Sequence, residues 1–312
     1  MKKLDNTNIA VHLGKTSEYK SQYDAGLLVR EPRANNRQHL NIKDDSLPFV
    51  GLDTWNAYEI SALTKTGLPV TGVGKIVYPC SSKYIVESKS LKLYFNSFNM
   101  TKLGEDAFEI LHKIAEIAER DLSNFLETDV KVYVFSNAQC LDVEDGEAQK
   151  EWDHVKDHFT NQSYVTLEDE YQLDGVKFNV YQESPKLLSV VESVFDTVRY
   201  HSALLKSNCR VTSQPDFGDV YIHIKKEGKT IDPISLLKYI VSFRDECHFH
   251  EEICETIYTA LWRKLQPDEL HVMCLYTRRG GIDICPQRAS HEHLLHKGLA
   301  NHERLHIKTP RQ

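Results

Sequence analysis

The strongest constraint on this chain is that it contains itself twice. At an offset of 145 residues, Ser90-Leu91-Lys92-Leu93-Tyr94-Phe95-Asn96-Ser97-Phe98 falls on Ser235-Leu236-Leu237-Lys238-Tyr239-Ile240-Val241-Ser242-Phe243, with Ser, Leu, Tyr, Ser and Phe coinciding without a gap. In the first half, Phe108, Leu111, Ile114, Ala115, Ala118 and Leu122 then recur at helical spacing. In the second half, Ile253, Ile257, Ala260 and Leu261 do the same. Runs rich in β-branched and aromatic residues flank both helices: Val73 to Tyr78 and Val130 to Ser136 in the first half, Asp219 to Ile224 and Leu270 to Thr277 in the second. The expected fold is therefore α+β, two modules that each place helices on one face of an antiparallel sheet. The divisions read as an extension over 1–50, a first module over 51–141, an acidic surface linker or insertion over 142–175, and a second module over 176–312.

Composition sets the class. The 312 residues, 41% of them hydrophobic, suffice for a substantial core. With 45 acidic against 38 basic residues, the net charge of -7 argues against a general nucleic-acid surface, so any anionic ligand must meet a local basic cluster. Seven cysteines, an odd number without a CxxC pair, read as reduced thiols with neither a disulfide framework nor a zinc site. The N-terminus has no apolar stretch of signal-peptide length and no window approaches a membrane span, which together place the chain in the cytoplasm.

The halves differ where chemistry is expected. In Ser207 to Phe217, SNCRVTSQPDF, Cys209 stands seven residues before Asp216 in a stretch whose polar residues and proline argue for a loop. A thiol there can be a nucleophile with a carboxylate to move its proton, yet a lone cysteine is more often packed and inert, and spacing alone leaves both readings open. Glu87-Ser88-Lys89-Ser90-Leu91-Lys92 sets two lysines among hydroxyls, which suits a phosphate as well as a solvated edge. Glu251, opening a helix after Phe249 and His250, could accept from a purine's N1–H and 2-amino group or serve simply as an N-terminal helix acid. Arg278-Arg279-Gly280-Gly281 at a strand end can approach a phosphate or form an ordinary turn. Histidines 291, 293, 296, 302 and 306 match no zinc spacing, and no GxGxxG follows a strand, so neither a metal nor a Rossmann pocket is expected.

Together these motifs resemble the NADPH-dependent 7-cyano-7-deazaguanine reductases, the nitrile reductases of the queuosine pathway, in their longer type with tandem tunnelling-fold modules. The family signature stands as ESKSLKLY at residues 87 to 94, its nucleophile loop as Cys209 to Asp216, its FHE as residues 249 to 251 and its RGG as residues 279 to 281, in the family's order. The resemblance implies a thiolate at Cys209 that attacks the nitrile carbon to give a thioimide, and an acid-base role for Asp216. It implies base binding by Val86, Glu87, Ser88, His250 and Glu251, with His250 a further proton relay. NADPH binding falls to Ser88, Lys89, Arg279 and Gly280, with Lys92 a weaker addition. Two NADPH per turnover, no metal, no direct nucleic-acid partner and a homodimer complete the expectation. The competing readings are a zinc-dependent pterin or purine hydrolase of the same fold, a nitrile hydrolase, and a purine- or pterin-binding protein without reductase activity.

Overall fold

The computed structural model describes residues 19–136, 164–210, 212–305, 308–309 and 312. The first half runs β1 (Val50–Thr64), β2 (Pro69–Pro79), α1 (Ser88–Asn96), α2 (Ala107–Leu126) and β3 (Lys131–Ser136). The second runs β4 (Thr197–Cys209), β5 (Pro215–Lys225), α3 (Pro233–Val241), the short β6 (Cys247–His248), α4 (His250–Leu265), β7 (Glu269–Tyr276) and β8 (Ile282–Ala289). These strands form one sheet in the order β6-β4-β5-β7-β8-β1-β2-β3. The halves join where β8 pairs antiparallel with β1, from Ile282 opposite Ala57 to Ala289 opposite Val50. The architecture is thus α+β with a dominantly antiparallel sheet.

The offset of 145 is structural: α1 and α3 begin and end on matching residues, and the repeated side chains do matching work. Glu87 caps α1 by accepting from the backbone N–H of Lys89 and Ser90, and Asp232 caps α3 by accepting from Ser235. Ser90 and Ser235 each return a hydroxyl bond to their cap carbonyl and accept from the N–H of a preceding arm, at Val29 and Ser189. Tyr94 and Tyr239 are buried and each donates to a carboxylate, Asp121 and Glu183. Beyond the shared Ser-Phe the register slips, because the helix cap is Asp106 in one half and Phe249 in the other, 143 residues apart by their numbering.

The helices cover one sheet face, with one core cluster centred on Trp55, Tyr78, Tyr94 and Ile114 and another on Val220, Tyr239, Ile257 and Val272. On the opposite face Met273, Leu275 and Cys285 pack against Leu299 of the C-terminal segment.

Three expectations need correction. Cys209 ends β4 and Asp216 lies at the start of β5, so the loop proper is confined to 210–214. The acidic stretch 142–175 is not surface linker throughout. Its residues up to 163 lie outside the described set, while Val165–Thr166 pairs parallel to β4 and the buried Leu167 joins the second core. The extension over 1–50 is not a part separate from the modules, for after Arg30–Pro32 pairs with Tyr84–Val86, its Arg33 and Arg37 reach across to the second.

There they enter a buried charge cluster at the seam. Arg37 makes a bidentate contact to Glu255 of α4 at 2.7 and 2.8 Å, and Arg288 of β8 bonds Glu255 at 2.9 Å and Asp53 of β1 at 2.8 Å. Arg33 bonds the other Asp53 oxygen. Gly51 makes room for this, since a methyl group there would lie 2.8 Å from the Arg288 stem and 2.3 Å from the Gln287 carbonyl. Burial alone would raise the Glu255 carboxyl, but Arg288, Arg37 and Arg33 outweigh it and hold the group below its ordinary range. Removing one partner strands the rest in a medium that solvates them poorly. Glu255→Ala is expected to cost about 3–5 kcal/mol, lowering the melting temperature by roughly 10 °C. A melt within about 2 °C of the parent would show that the cluster is not what joins the halves.

Candidate active site

The turn between the end of β4 and the start of β5 brings Cys209 and Asp216 to one cleft. Asn208 pairs with Pro215 and Ser207 with Asp216, while the Cys209 N–H donates to the Gln214 carbonyl at 2.8 Å and the Ser213 N–H donates back to the Cys209 carbonyl at 2.9 Å. Ser213 takes φ 56° to close the turn. On its other side Cys209 is in register with His248 of β6. Burial works against a charge on His248, but its contacts to Glu246 and Glu252 at 3.2 and 2.9 Å raise it to about 9.

Asp216, its side chain only 5% exposed, is held on both oxygens. Arg279 Nη1 lies 2.6 Å from Oδ1 and His250 Nε2 lies 3.3 Å from Oδ2. His250 stacks on Tyr276 with ring centroids 3.7 Å apart and planes 7° from parallel, so its edge is aimed and its rotation blocked. A carboxylate pinned this way next to a thiol can accept a proton and return it to a group bound between them.

These residues open onto a cleft of about 380 Å³, part of it open to solvent. One wall comes from the first half (Trp55, Val86, Glu87, Ser88) and the facing wall from the second (Cys209, Asp216, His250, Glu251, Arg279). Three buried polar atoms of the lining residues have no protein partner, His250 Nδ1, Glu251 Oε1 and Trp55 Nε1, and neither has the hydroxyl of Tyr276, on which His250 stacks. Buried polar atoms left unpaired are costly, and a ligand with matching donors and acceptors would satisfy them. Glu251 stands in the first turn of α4, as an N-terminal helix acid would, but it is buried, only 3% exposed. Burial and the Asp53 charge raise its carboxyl to about 8, with Arg33 and Arg288 pulling the other way. Glu87 differs, since both of its oxygens already cap α1 and a ligand would share them with Lys89 and Ser90 N–H at 2.9 and 2.7 Å.

The cleft mouth is basic. Lys89 is exposed, Lys92 Nζ lies 3.2 Å from Glu59, and Arg278 lies over the Tyr58 ring at 4.4 Å. Gly280 and Gly281 take φ 60° and 80°, and a methyl group on Gly280 would come within 3.7 Å of Lys92 Nζ, so the second half's turn meets the first half's helix. This rim offers cations and close backbone approach, as an anionic dinucleotide requires.

All the nucleophile, proton-transfer and base residues expected from sequence line one cleft, with Ser88 and Arg279 among them, while Lys89 and Gly280 are not in the lining but follow those two residues in the chain. Sequence reasoning missed Trp55, Arg210, His248, Phe249 and Ile284 as lining residues. Phe249 was signalled by its place in FHE; Trp55 and Ile284 enter through the β1–β8 pairing, which no local pattern announces. A wider hollow, about 930 Å³ by the same measure, lies beside Phe49, Pro79, Cys80, His293 and Lys297, away from the thiol and carboxylate. We give it no catalytic weight because burial pushes the Cys80 thiol up, away from thiolate.

Comparison with known proteins decides the family. A profile described as nitrile reductase, 7-cyano-7-deazaguanine-reductase N-term matches residues 19–134, and one described as QueF-like protein matches residues 215–294. A curated NADPH-dependent 7-cyano-7-deazaguanine reductase from Colwellia psychrerythraea is 39% identical over 285 residues, covering 89% of this chain and 91% of that protein. The chain belongs to the 7-cyano-7-deazaguanine reductase family. Reductases of the same name from Rickettsia canadensis and Rickettsia felis are 40% and 41% identical, covering 89% and 88% of this chain and 92% and 91% of theirs. Membership makes this chain an NADPH-dependent oxidoreductase acting on nitriles. Among the described residues no helix is long and apolar enough to cross a membrane.

Proposed function

We propose that this chain reduces the nitrile of 7-cyano-7-deazaguanine to the aminomethyl group of 7-aminomethyl-7-deazaguanine through a thioimide on Cys209. The carrying observation is the cleft that sets Cys209 and the pinned Asp216 against the buried, unpaired edge of Glu251. Cys209 Sγ bonds to the nitrile carbon while its proton passes by way of Asp216 to the nitrile nitrogen. NADPH supplies two hydrides per nitrile, one to the thioimide carbon and one to the imine that follows loss of the sulfur. Each hydride is matched by a proton delivered to nitrogen, for which Asp216 and His250 are in place. Keeping the imine in a cleft walled by both halves protects it from water. Val86, Glu87 and Ser88 hold the base from the first half and His250 and Glu251 from the second. Ser88, Lys89, Arg279 and Gly280 receive the cofactor at the rim, with Lys92 beside them.

The same reading makes the halves tandem tunnelling-fold modules over 51–141 and 176–312, working as a homodimer in the cytoplasm. It needs no nucleic acid and no metal. Mixing protein, 7-cyano-7-deazaguanine and NADPH and following NADPH absorbance tests it, because a base-binding protein without reductase activity would leave the cofactor unconsumed.

A pH prediction follows from Glu251. A base offering N1–H and an amino group needs the ionised carboxylate, yet the group is raised to about 8 in the unliganded protein. Binding near neutrality therefore expels a proton. In calorimetric titrations of Cys209→Ala, affinity should rise about tenfold per pH unit below 8 and level off above it; Glu251→Gln should flatten the curve. An affinity constant from pH 6 to 9 would remove Glu251 from base recognition. The stability sign is opposite: with the folded value above the unfolded one, the protonated form's contribution is lost as pH rises through about 8.

A further inference from the structure

Arg279 has two claims on it. As part of the rim it is placed to meet a cofactor phosphate, but its Nη1 lies 2.6 Å from Asp216 Oδ1. Two of its basic neighbours are engaged elsewhere, Lys92 with Glu59 and Arg278 over Tyr58. The Arg279 side chain is 40% exposed and the Asp216 side chain 5%, so the guanidinium can leave and the carboxylate cannot follow. The backbone beneath is fixed, because Arg279 and Ile282 exchange N–H to carbonyl bonds at 2.8 and 3.2 Å around Gly280 and Gly281. When Arg279 leaves, His250 keeps its contact to Oδ2 and its stack on Tyr276, so Asp216 stays in place and loses only its counter-charge.

We infer that Arg279 exchanges partners during the cycle, holding Asp216 in the cofactor-free protein and leaving it for the phosphate of the bound cofactor. The exchange rests on the function proposed above and adds a coupling to it. Thioimide formation needs a carboxylate able to take the thiol proton, and the guanidinium 2.6 Å from Oδ1 is the counter-charge that faces it. Reduction needs the reverse. With each hydride a proton must go to nitrogen, and a carboxylate whose cation has been withdrawn keeps a proton to give. Among the described residues, Asp216 is contacted by Arg279 from the β7–β8 turn and His250 from α4, acts by charge on Tyr276 of β7, and shares its cleft with Glu87, Cys209, Arg210, His248 and Glu251. Of these, Arg279 is the one that the cofactor can draw away. It is a positioning residue for the proton, in addition to any cofactor contact.

The test uses NADP⁺, which brings the phosphates but no hydride. Thioimide formation is followed by intact-protein mass spectrometry at saturating 7-cyano-7-deazaguanine from pH 5 to 9. In the wild-type protein, saturating NADP⁺ should slow the reaction roughly tenfold at the acid end of the rate profile and little at the alkaline end. Arg279→Gln should show the same acid-end slowing without nucleotide and no further slowing with it; Arg279→Lys, which keeps the charge, should restore part of the wild-type profile. An Arg279→Gln profile equal to wild type, with only the KM for NADPH raised, would make Arg279 a cofactor contact alone and overturn the exchange. A slowing by NADP⁺ that is uniform across pH would reveal steric blocking and overturn it as well. If the wild-type protein forms no adduct under any condition, the thioimide reading itself fails and takes this inference with it.

Discussion

Cys209→Ala is expected to lose both the covalent adduct and all turnover while melting like the parent. Cys209 lies at the last position of β4 and belongs to none of the core clusters, and the bonds that close its turn are made by backbone atoms that alanine keeps. Losing the thiol therefore removes chemistry without opening a core cavity. Intact-protein mass spectrometry with 7-cyano-7-deazaguanine and no NADPH should find one adduct on the wild-type protein and none on the variant. Among the described residues, four other thiols make poor substitutes. Burial pushes Cys80 and Cys285 up, the latter beyond reach of neutral pH, and Cys254 is raised by burial and by Cys274. Cys247 is exposed, but its partial burial and the charges of Glu246 and Cys209 raise it too. An adduct that persisted in Cys209→Ala would sink the nucleophile assignment, and Cys247 would be the first residue to replace next.

Asp216→Asn should leave base binding nearly intact and slow adduct formation by about 10²- to 10⁴-fold, the usual worth of a positioned proton transfer. The amide has nearly the shape of the carboxylate and can still occupy the space between His250 and Arg279, but it cannot carry the thiol proton. Binding is measured by calorimetry in the Cys209→Ala background and the rate by adduct mass against time. Adduct kinetics equal to wild type would take Asp216 out of the mechanism, whatever its place in the cleft. A loss of base binding equal to the loss of rate would instead mean that Asp216 holds the base.

Much of this was legible in the chain because the relevant chemistry is local. A helix cap and its serine lie within a few residues of each other, so the pairing of Glu87 with Ser90 and of Asp232 with Ser235 leaves a trace that survives in the 145-residue offset. The strands at Val73 to Tyr78 and Asp219 to Ile224 were visible from composition, although β2 and β5 extend beyond both runs. Cys209 and Asp216 share a cleft because a short turn between two paired strands brings its flanks together. The loop was overestimated for the same reason: polar residues and a proline mark a turn but do not say where pairing resumes.

What the sequence alone determined is the repeated strand-and-helix pattern, the residues that come together in the cleft and the family, each written in contacts of short span. The tertiary structure decided how the modules meet. Pairing of β8 with β1 carries Trp55 and Ile284 into the cleft; Arg33, Arg37 and Arg288 are gathered on Asp53 and Glu255 at the seam; and Arg279 is set on Asp216 rather than left in solvent. Each of these is a contact between residues tens to hundreds of positions apart. Hydrophobic period and turn chemistry report only on a residue's near neighbours, whereas a charge buried in the seam is stabilised by whatever the fold brings against it.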